Sequence, residues 1–259
     1  MIISSERFIR FGWQASMAAA ILVAWQILPG ALGVSPLILP PLSDVLQAAT
    51  EPLAGGAPIT ENLLITLREI ALAFLIAAAT GLTVGILIGS SKVVAALIQP
   101  LLTALFAVPL ITLIPLFLVT FGLGASSKIA FGALYAFFPI VFNTVAGVSS
   151  VEAVHRSLAE AFGLSWPARL VKVTLPSAAR QILGGLQMGM AIVIIAVVSA
   201  EVFGSTAGMG YLLQRSAQNL DGAAVWYLVL VTFAMAWALL TVVRLTARLL
   251  RVRPEAPAW

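Results

Sequence analysis

The stretch Ile70–Ser91, which reads IALAFLIAAATGLTVGILIGSS, contains no charged residue. A helix that crosses the hydrocarbon core of a bilayer needs about 20 predominantly apolar residues, and this stretch is long enough. Five more stretches have the same character and predict five more spans: Trp13–Leu32, Val93–Ser127, Ile129–Gly147, Ile182–Ala200 and Ala223–Val243. We therefore predict an all-α polytopic membrane protein with six transmembrane helices.

The composition of the whole chain also indicates a membrane protein. Of the 259 residues, 61% are hydrophobic and 9% are charged, whereas soluble domains average about 25% charged residues. The sequence has no cysteine and one histidine, His155, which excludes disulfides, thiolate ligands and a histidine metal cluster. No exposed basic and aromatic surface is left to bind nucleic acid. We expect contact with membrane lipid, and no metal, cofactor or nucleic acid on this chain.

The third predicted span is longer than one perpendicular helix requires. Val93–Ser127 contains Pro100, Pro109 and Pro115, and proline removes a backbone donor from a helix. We predict one span with a kinked or broken approach. Backbone groups freed at membrane depth are satisfied by neighbouring helices or by a water-filled cavity. The segment with Pro109, Thr112 and Pro115 is therefore a candidate pathway lining, and ordinary kinks are the alternative.

Lysine and arginine are distributed unevenly between the two sides of the predicted spans. With the N-terminus inside, the outer loops hold Lys128 and Arg215, and Arg68 lies at the outer start of span two. The inner segments hold Arg7, Arg10, Lys92, Arg156, Arg169, Lys172, Arg180, Arg244, Arg248, Arg251 and Arg253. The positive-inside rule then predicts that both termini and the loop Val151–Gln181 are cytoplasmic. A cleaved signal peptide is the alternative for the N-terminus, but its apolar stretch has the length of a span.

The loop Val151–Gln181 is the longest charged segment between the spans. Apolar residues recur at helical spacing from Val151 to Phe162, and Gly163 is placed as a glycine that ends a helix. Ser165-Trp166-Pro167 has the residues of a helix start, and we expect Leu175-Pro176 to end that second helix. The sequence predicts a bracket of two short helices, and a merely solvated loop helix is the alternative.

This loop resembles the EAA loop of ABC importer permeases. The similarity rests on the run Ser157–Gly163, with Ala159 where the family has alanine, and on Leu175-Pro176, whose proline lies thirteen residues after Gly163. Ser157 occupies the position of the usual glutamate, and Glu160 supplies an acid nearby. The resemblance implies that the loop 151–176 is a cytoplasmic coupling helix between spans four and five, which docks on a separate ATPase subunit.

Further motifs, in order along the chain, resemble the nitrate/sulfonate/taurine type of these permeases. They are Leu39-Pro40-Pro41, Thr66-Leu67-Arg68, Val108-Pro109, Ile114-Pro115-Leu116, Phe121–Gly124, Phe138-Pro139-Ile140 with Asn143, and Ala200-Glu201 followed by Gly208–Tyr211. The resemblance implies a type I importer permease, a single domain over 1–259 with a first span at 13–32 and a five-span core at 60–250.

The same resemblance implies the partners and the location of the chain. We expect a homodimer in the bacterial inner membrane, two ABC ATPase subunits and an extracytoplasmic substrate-binding protein. The sequence has no Gly-x-x-x-x-Gly-Lys-Ser/Thr phosphate loop, so we expect no enzyme activity here, with ATP and Mg on the partner ATPases. Family members carry sulfonates or taurine, nitrate-like anions, and pyrimidine or vitamin-like molecules.

Small and polar residues inside the spans are further candidates. Glycines at small-xxx-small spacing permit close helix approach, either between subunits or within one chain: Gly81, Gly85, Gly89, Gly185 and Gly189. Asn143 either lines a polar pathway or bonds to a neighbouring helix. Glu201 either belongs to an outer gate or docking contact, or is an interfacial carboxylate that reaches water.

A stand-alone secondary transporter or channel is the alternative function. That class tends to have ionisable residues at the midplane or inverted repeats with broken helices, and the sequence shows neither convincingly. An enzyme embedded in lipid lacks a catalytic constellation, since no span holds paired acids. Dependence of uptake on a partner ATPase, as opposed to an ion gradient, separates the first two classes.

Overall fold

The computed structural model describes residues 2–50, 58–151 and 162–249, in which helices are joined by turns and no strand occurs. In chain order the helices are α1 (Ile2–Ala31), α2 (Leu42–Gln47), α3 (Ile59–Gly89), α4 (Lys92–Phe106), α5 (Ile114–Phe121), α6 (Ala125–Ser149), α7 (Trp166–Arg169), α8 (Leu175–Phe203), α9 (Met209–Gln218) and α10 (Gly222–Leu249). A 3-10 turn (Leu110–Leu113) precedes α5, and a π-helical turn (Leu170–Thr174) joins α7 to α8.

Five helical segments among the described residues are long and apolar enough to cross a bilayer. They are Gly12–Ala31, Ile59–Gly89, Ala125–Ser149, Trp166–Phe203 and Gly222–Ala247. The sixth candidate is a broken pair, Lys92–Phe106 and Leu110–Phe121, bent by 70°. Pro109 lies in the break with a non-helical backbone, and Pro115 is in the first turn of α5, where a missing N–H costs nothing. The prediction of an all-α polytopic protein is confirmed, and the described residues contain five candidate spans, or six when the broken pair is counted as one.

The chain divides into two compact units, of which the smaller comprises Met1–Thr60 and Leu212–Thr232. In this unit two indole groups fix the loop between α1 and α2. The Trp25 indole donates to the carbonyl of Pro40 at 3.1 Å, and the Trp226 indole donates to the carbonyl of Ile38 at 2.9 Å. The two rings meet edge to face with centroids 5.3 Å apart. An apolar loop is thereby held through its backbone carbonyls.

The larger unit comprises Glu61–Tyr211 and Phe233–Trp259. Its main core is built by side chains of α3, α6, α8 and the second half of α10. Ile70, Ile140 and Val193 are fully buried in this core. A second cluster joins α5, α6 and α8 around Ile114 and Phe131. The helix α6 contributes to both clusters and is the central element of the unit.

Two predictions at the ends of spans are wrong. Leu175-Pro176 does not end a short helix, because Trp166–Phe203 is one helical segment of 38 residues. Pro176 lies in the first turn of α8, directly after the π-helical turn. The π-helical turn changes the local hydrogen-bond spacing. The helix therefore continues although proline has no N–H to donate. Lys128 does not lie in an outer loop. The helix α6 begins at Ala125, and Lys128 is 0% exposed.

Candidate functional site

The five candidate glycines lie where α3 and α8 pack against α6. A Cβ atom added to any of them would come within 2.8 Å of a side chain of α6. The closest approach is at Gly85, whose added Cβ would lie 2.5 Å from the Cβ of Thr144. Gly81 and Gly89 extend the contact along α3, and Gly185 and Gly189 form the equivalent contact on α8. In this structure all five make contacts within one chain.

At the far end of the same helices, a group of polar side chains is buried. Glu69 of α3 is 3% exposed, Lys128 of α6 is 0% exposed and Glu201 of α8 is 1% exposed. The Lys128 ammonium donates to the carbonyls of Leu123 and Gly124, the second at 3.1 Å. We call Glu69, Lys128 and Glu201 the charged cluster.

The charged cluster is joined to the start of α9 by three consecutive backbone donors. The N–H of Gly208 donates to Asn62 Oδ1 at 2.7 Å, and that of Met209 donates to Thr66 Oγ1 at 2.8 Å. The N–H of Gly210 donates to Glu201 Oε2 at 2.7 Å. The first N–H groups of a helix have no partner within that helix, so these side chains cap α9. We call Gly208–Gly210 the glycine turn.

Glycine is required at both ends of the glycine turn. Gly208 has a φ of +107°, and a Cβ there would lie 2.3 Å from Glu201 Oε1. Gly210 has regular helical backbone, but its Cβ would lie 2.4 Å from the carbonyl oxygen of Val198. The turn therefore sits directly on α8, at the position of the Glu201 carboxylate.

Replacing Thr66 by valine is expected to destabilise this site. The Thr66 hydroxyl donates to Glu201 Oε1 at 2.6 Å while it accepts from the N–H of Met209. Valine has a similar shape but leaves both partners unsatisfied, which costs about 2 kcal/mol or more and lowers Tm by roughly 4–8 °C. The measurement is thermal unfolding of the purified protein in detergent.

The matched control for Thr66→Val is Thr80→Val in the same helix. The exposed Thr80 hydroxyl donates to the carbonyl of Ile76 in its own helix at 2.7 Å, so its removal breaks no contact between helices. Equal Tm values for the two variants would contradict the capping role of Thr66.

Of the candidate coupling loop 151–176, the structure describes Val151 and residues 162–176. Ser157, Ala159 and Glu160 lie outside the described residues. Gly163 is in a turn with a φ of +68°, and nothing approaches within 4 Å of an added Cβ, so only the backbone conformation requires glycine there. Leu175 and Pro176 form the first turn of α8.

Exposed aromatic groups flank this turn. Phe162 is 82% exposed and Trp166 is 48% exposed. Both lie within three residues of Gly163 along the chain.

The candidate pathway residues are not brought together in one place. The Thr112 hydroxyl donates to the carbonyl of Pro109 at 2.7 Å, and both belong to the turn before α5 with Pro115. Asn143 Nδ2 donates to the carbonyl of Pro139 at 2.8 Å within α6, and the Asn143 Cβ atom faces Gly185. Glu201 is buried in the charged cluster.

Sequence reasoning did not identify the partners of Glu201. No sequence motif marks Asn62 or Glu69 as a partner, Thr66 enters only as part of the Thr66-Leu67-Arg68 motif, and Lys128 is predicted in an outer loop. The signal that was available is the spacing of Asn62, Thr66 and Glu69, which lie three or four residues apart and therefore share one face of α3.

Comparison with known proteins agrees with this architecture. The SsuC transport permease protein of Bacillus subtilis (strain 168), named for aliphatic sulfonates, is 35% identical over 211 residues, which cover 81% of this chain and 76% of the relative. The taurine transport system permease protein TauC of Escherichia coli (strain K12) is 33% identical over 207 residues, covering 78% of this chain and 75% of the relative.

Solved structures show the same fold at low sequence identity. An inward-facing structure of the MetNI methionine ABC transporter aligns with a TM-score of 0.59 and 16% identity, covering 72% of this chain and 94% of that chain. The family model described as "Binding-protein-dependent transport system inner membrane component" matches residues 81–254. Since that match spans most of the chain, this protein belongs to the family of inner-membrane components of binding-protein-dependent transport systems.

Proposed function

We propose that this permease is the membrane subunit of an ATP-driven importer for small sulfonates. The observation that carries the proposal is the family match over residues 81–254 in a chain with six candidate spans. Two relatives are named for aliphatic sulfonates and taurine, which is itself a sulfonate. Other relatives are named for nitrate and for formylaminopyrimidine, at 27% and 28% identity. These substrates are the alternatives.

The proposed assembly contains two copies of this chain, two ATPase subunits and a substrate-binding protein on the outer side. ATP and Mg bind to the ATPases, and both termini of this chain are cytoplasmic. The coupling loop docks on the ATPase, with Ser157, Ala159 and Glu160 in its first half and Gly163 at its turn. The exposed Phe162 and Trp166 side chains suit an apolar cleft on that partner.

Reconstitution tests this proposal directly. The permease is placed in liposomes with its ATPase inside and its binding protein outside, and uptake of radiolabelled taurine is measured with and without ATP. We expect uptake that needs ATP and the binding protein. Uptake that persists without ATPase and collapses with an ion gradient supports a secondary transporter. Mass spectrometry of the ligand held by the binding protein decides between sulfonate, nitrate and pyrimidine.

Replacing Gly163 by valine is expected to uncouple the ATPase from transport. A β-branched residue at a φ of +68° is strained by about 1–3 kcal/mol, so the turn at Gly163 takes another conformation. We expect at least a tenfold loss of ATP-driven taurine uptake and reduced co-purification of the ATPase. The matched control is Gly33→Val, since Gly33 has a φ of +65° and equally open surroundings. Similar losses in both variants would contradict a specific coupling role.

A further inference from the structure

The charged cluster joins three helices through groups that are expensive to bury. Glu69, Lys128 and Glu201 are each at most 3% exposed. Each carboxyl group interacts electrostatically with the other and with the Lys128 ammonium. Arg68, the neighbour of Glu69 along α3, is exposed on another face of that helix. Within the described residues, the net charge of the charged cluster is therefore set by two acids and one base.

Hydrogen bonds distinguish the two carboxyl groups. Both oxygens of Glu201 accept, one from the Thr66 hydroxyl at 2.6 Å and the other from the N–H of Gly210 at 2.7 Å. An ionised carboxylate only accepts, and this environment suits it. Glu69 Oε2 is buried without a hydrogen-bond partner in the described structure. An ionised carboxylate in that position would be costly.

The charges of the cluster also indicate that one of the two carboxyl groups carries a proton. The Lys128 ammonium balances one carboxylate, and a second ionised carboxylate would leave an uncompensated charge in the protein interior. One proton on the carboxyl pair removes that charge.

We propose that Glu69 and Glu201 form a proton-binding site that holds one proton, and that Lys128 makes the buried cluster electrically neutral. The proton belongs to the pair, since interacting acids titrate together. The Glu201 oxygens remain free to accept from Thr66 and from the glycine turn, so the bound proton also stabilises the start of α9. This inference does not depend on the substrate or on the ATPase.

Infrared spectroscopy of the purified full-length protein at neutral pH tests the proton count. A protonated carboxyl group has a C=O stretching band that is separate from the bands of carboxylates. We expect one buried protonated group in the wild type and none in Glu69→Gln. We also expect none in Glu201→Gln, because the remaining Glu69 carboxyl then ionises to balance Lys128. Lys128→Met is expected to raise the count to two.

The same spectra provide a control and show which results would overturn the proposal. Glu61→Gln, at the exposed start of α3, is expected to leave the band unchanged. The absence of a protonated band in the wild type, or its survival in either single glutamate variant, overturns the proposal. An unchanged band in Lys128→Met also overturns it. If Lys128→Met does not fold, the two glutamate variants alone decide.

Thermal unfolding gives a second readout. Glu69→Gln resembles the neutral acid and is expected to keep Tm within about 3 °C of the wild type. Lys128→Met is expected to lower Tm by roughly 10 °C, since the pair must then bind a second proton at neutral pH and the carbonyls of Leu123 and Gly124 lose their buried donor. A Tm loss in Glu69→Gln as large as in Lys128→Met would show that Glu69 acts as a charged partner, contrary to the proposal.

Discussion

Replacing Gly85 by leucine is expected to prevent the folded protein from accumulating in the membrane. The first atom of the new side chain would lie 2.5 Å from Thr144 Cβ, 2.7 Å from Thr144 Cγ2 and 3.2 Å from the carbonyl oxygen of Val141. These atoms belong to α6, the central helix, and backbone cannot yield as a flexible side chain does. Overpacking by single methylene groups already costs about 1–3 kcal/mol, and leucine adds four carbon atoms. Fluorescence-detected size-exclusion chromatography of a tagged variant measures the loss.

Gly30→Leu is the matched control for Gly85→Leu. Gly30 also lies in a membrane-length helix, α1, but nothing stands within 4 Å of an added Cβ. Leucine is a better helix former than glycine by up to about 1 kcal/mol, so normal folding is expected. If Gly85→Leu accumulates as well as Gly30→Leu, the close packing of α3 on α6 is not needed for folding.

Replacing Gly210 by alanine is expected to detach the glycine turn from α8. The added methyl group would lie 2.4 Å from the carbonyl oxygen of Val198 and 2.6 Å from Glu201 Cβ. The two helices must separate, and the N–H of Gly210 then loses its bond to the Glu201 carboxylate. Hydrogen bonds to charged groups contribute about 1.5–3 kcal/mol, and steric strain adds to that loss. We expect a decrease in Tm of roughly 10 °C or more, measured by thermal unfolding.

Gly124→Ala provides the control for Gly210→Ala. Gly124 precedes α6 near Lys128, but an added Cβ has nothing within 4 Å and its φ of −78° is open to any residue. Its carbonyl remains available to the Lys128 ammonium. We expect a Tm within about 2 °C of the wild type. A comparable loss in both variants would indicate general sensitivity of this region.

The sequence was sufficient for the spans because apolar length alone identifies them. Ile70–Ser91 is unmistakable as a membrane helix, yet α3 begins at Ile59. The first turns of α3 contain Glu61, Arg68 and Glu69, and charged residues read as the end of a span when burial is unknown. The same reasoning placed Lys128 in a loop.

The partners of the buried polar groups depend on tertiary structure. Thr66, Lys128 and Glu201 are far apart in the sequence and meet only because α3 and α8 both pack on α6. The glycine spacing at Gly81, Gly85 and Gly89 predicted a close helix contact, but no local pattern identifies α6 as the partner. Hydrophobic periodicity gives a face of a helix, whereas the identity of the opposite helix is a property of the whole fold.

The continuous segment Trp166–Phe203 has a mechanical consequence. Its 38 residues extend over about 57 Å, against a hydrocarbon core of about 30 Å. Gly185 and Gly189, near the middle of the segment, pack closely on α6. If the segment tilts as a rigid body about this contact by about 10°, its two ends move by roughly 5 Å in opposite directions. The glycines that permit close packing on α6 therefore lie at the pivot of such a motion, with Trp166 at one end of the segment and Glu201 near the other.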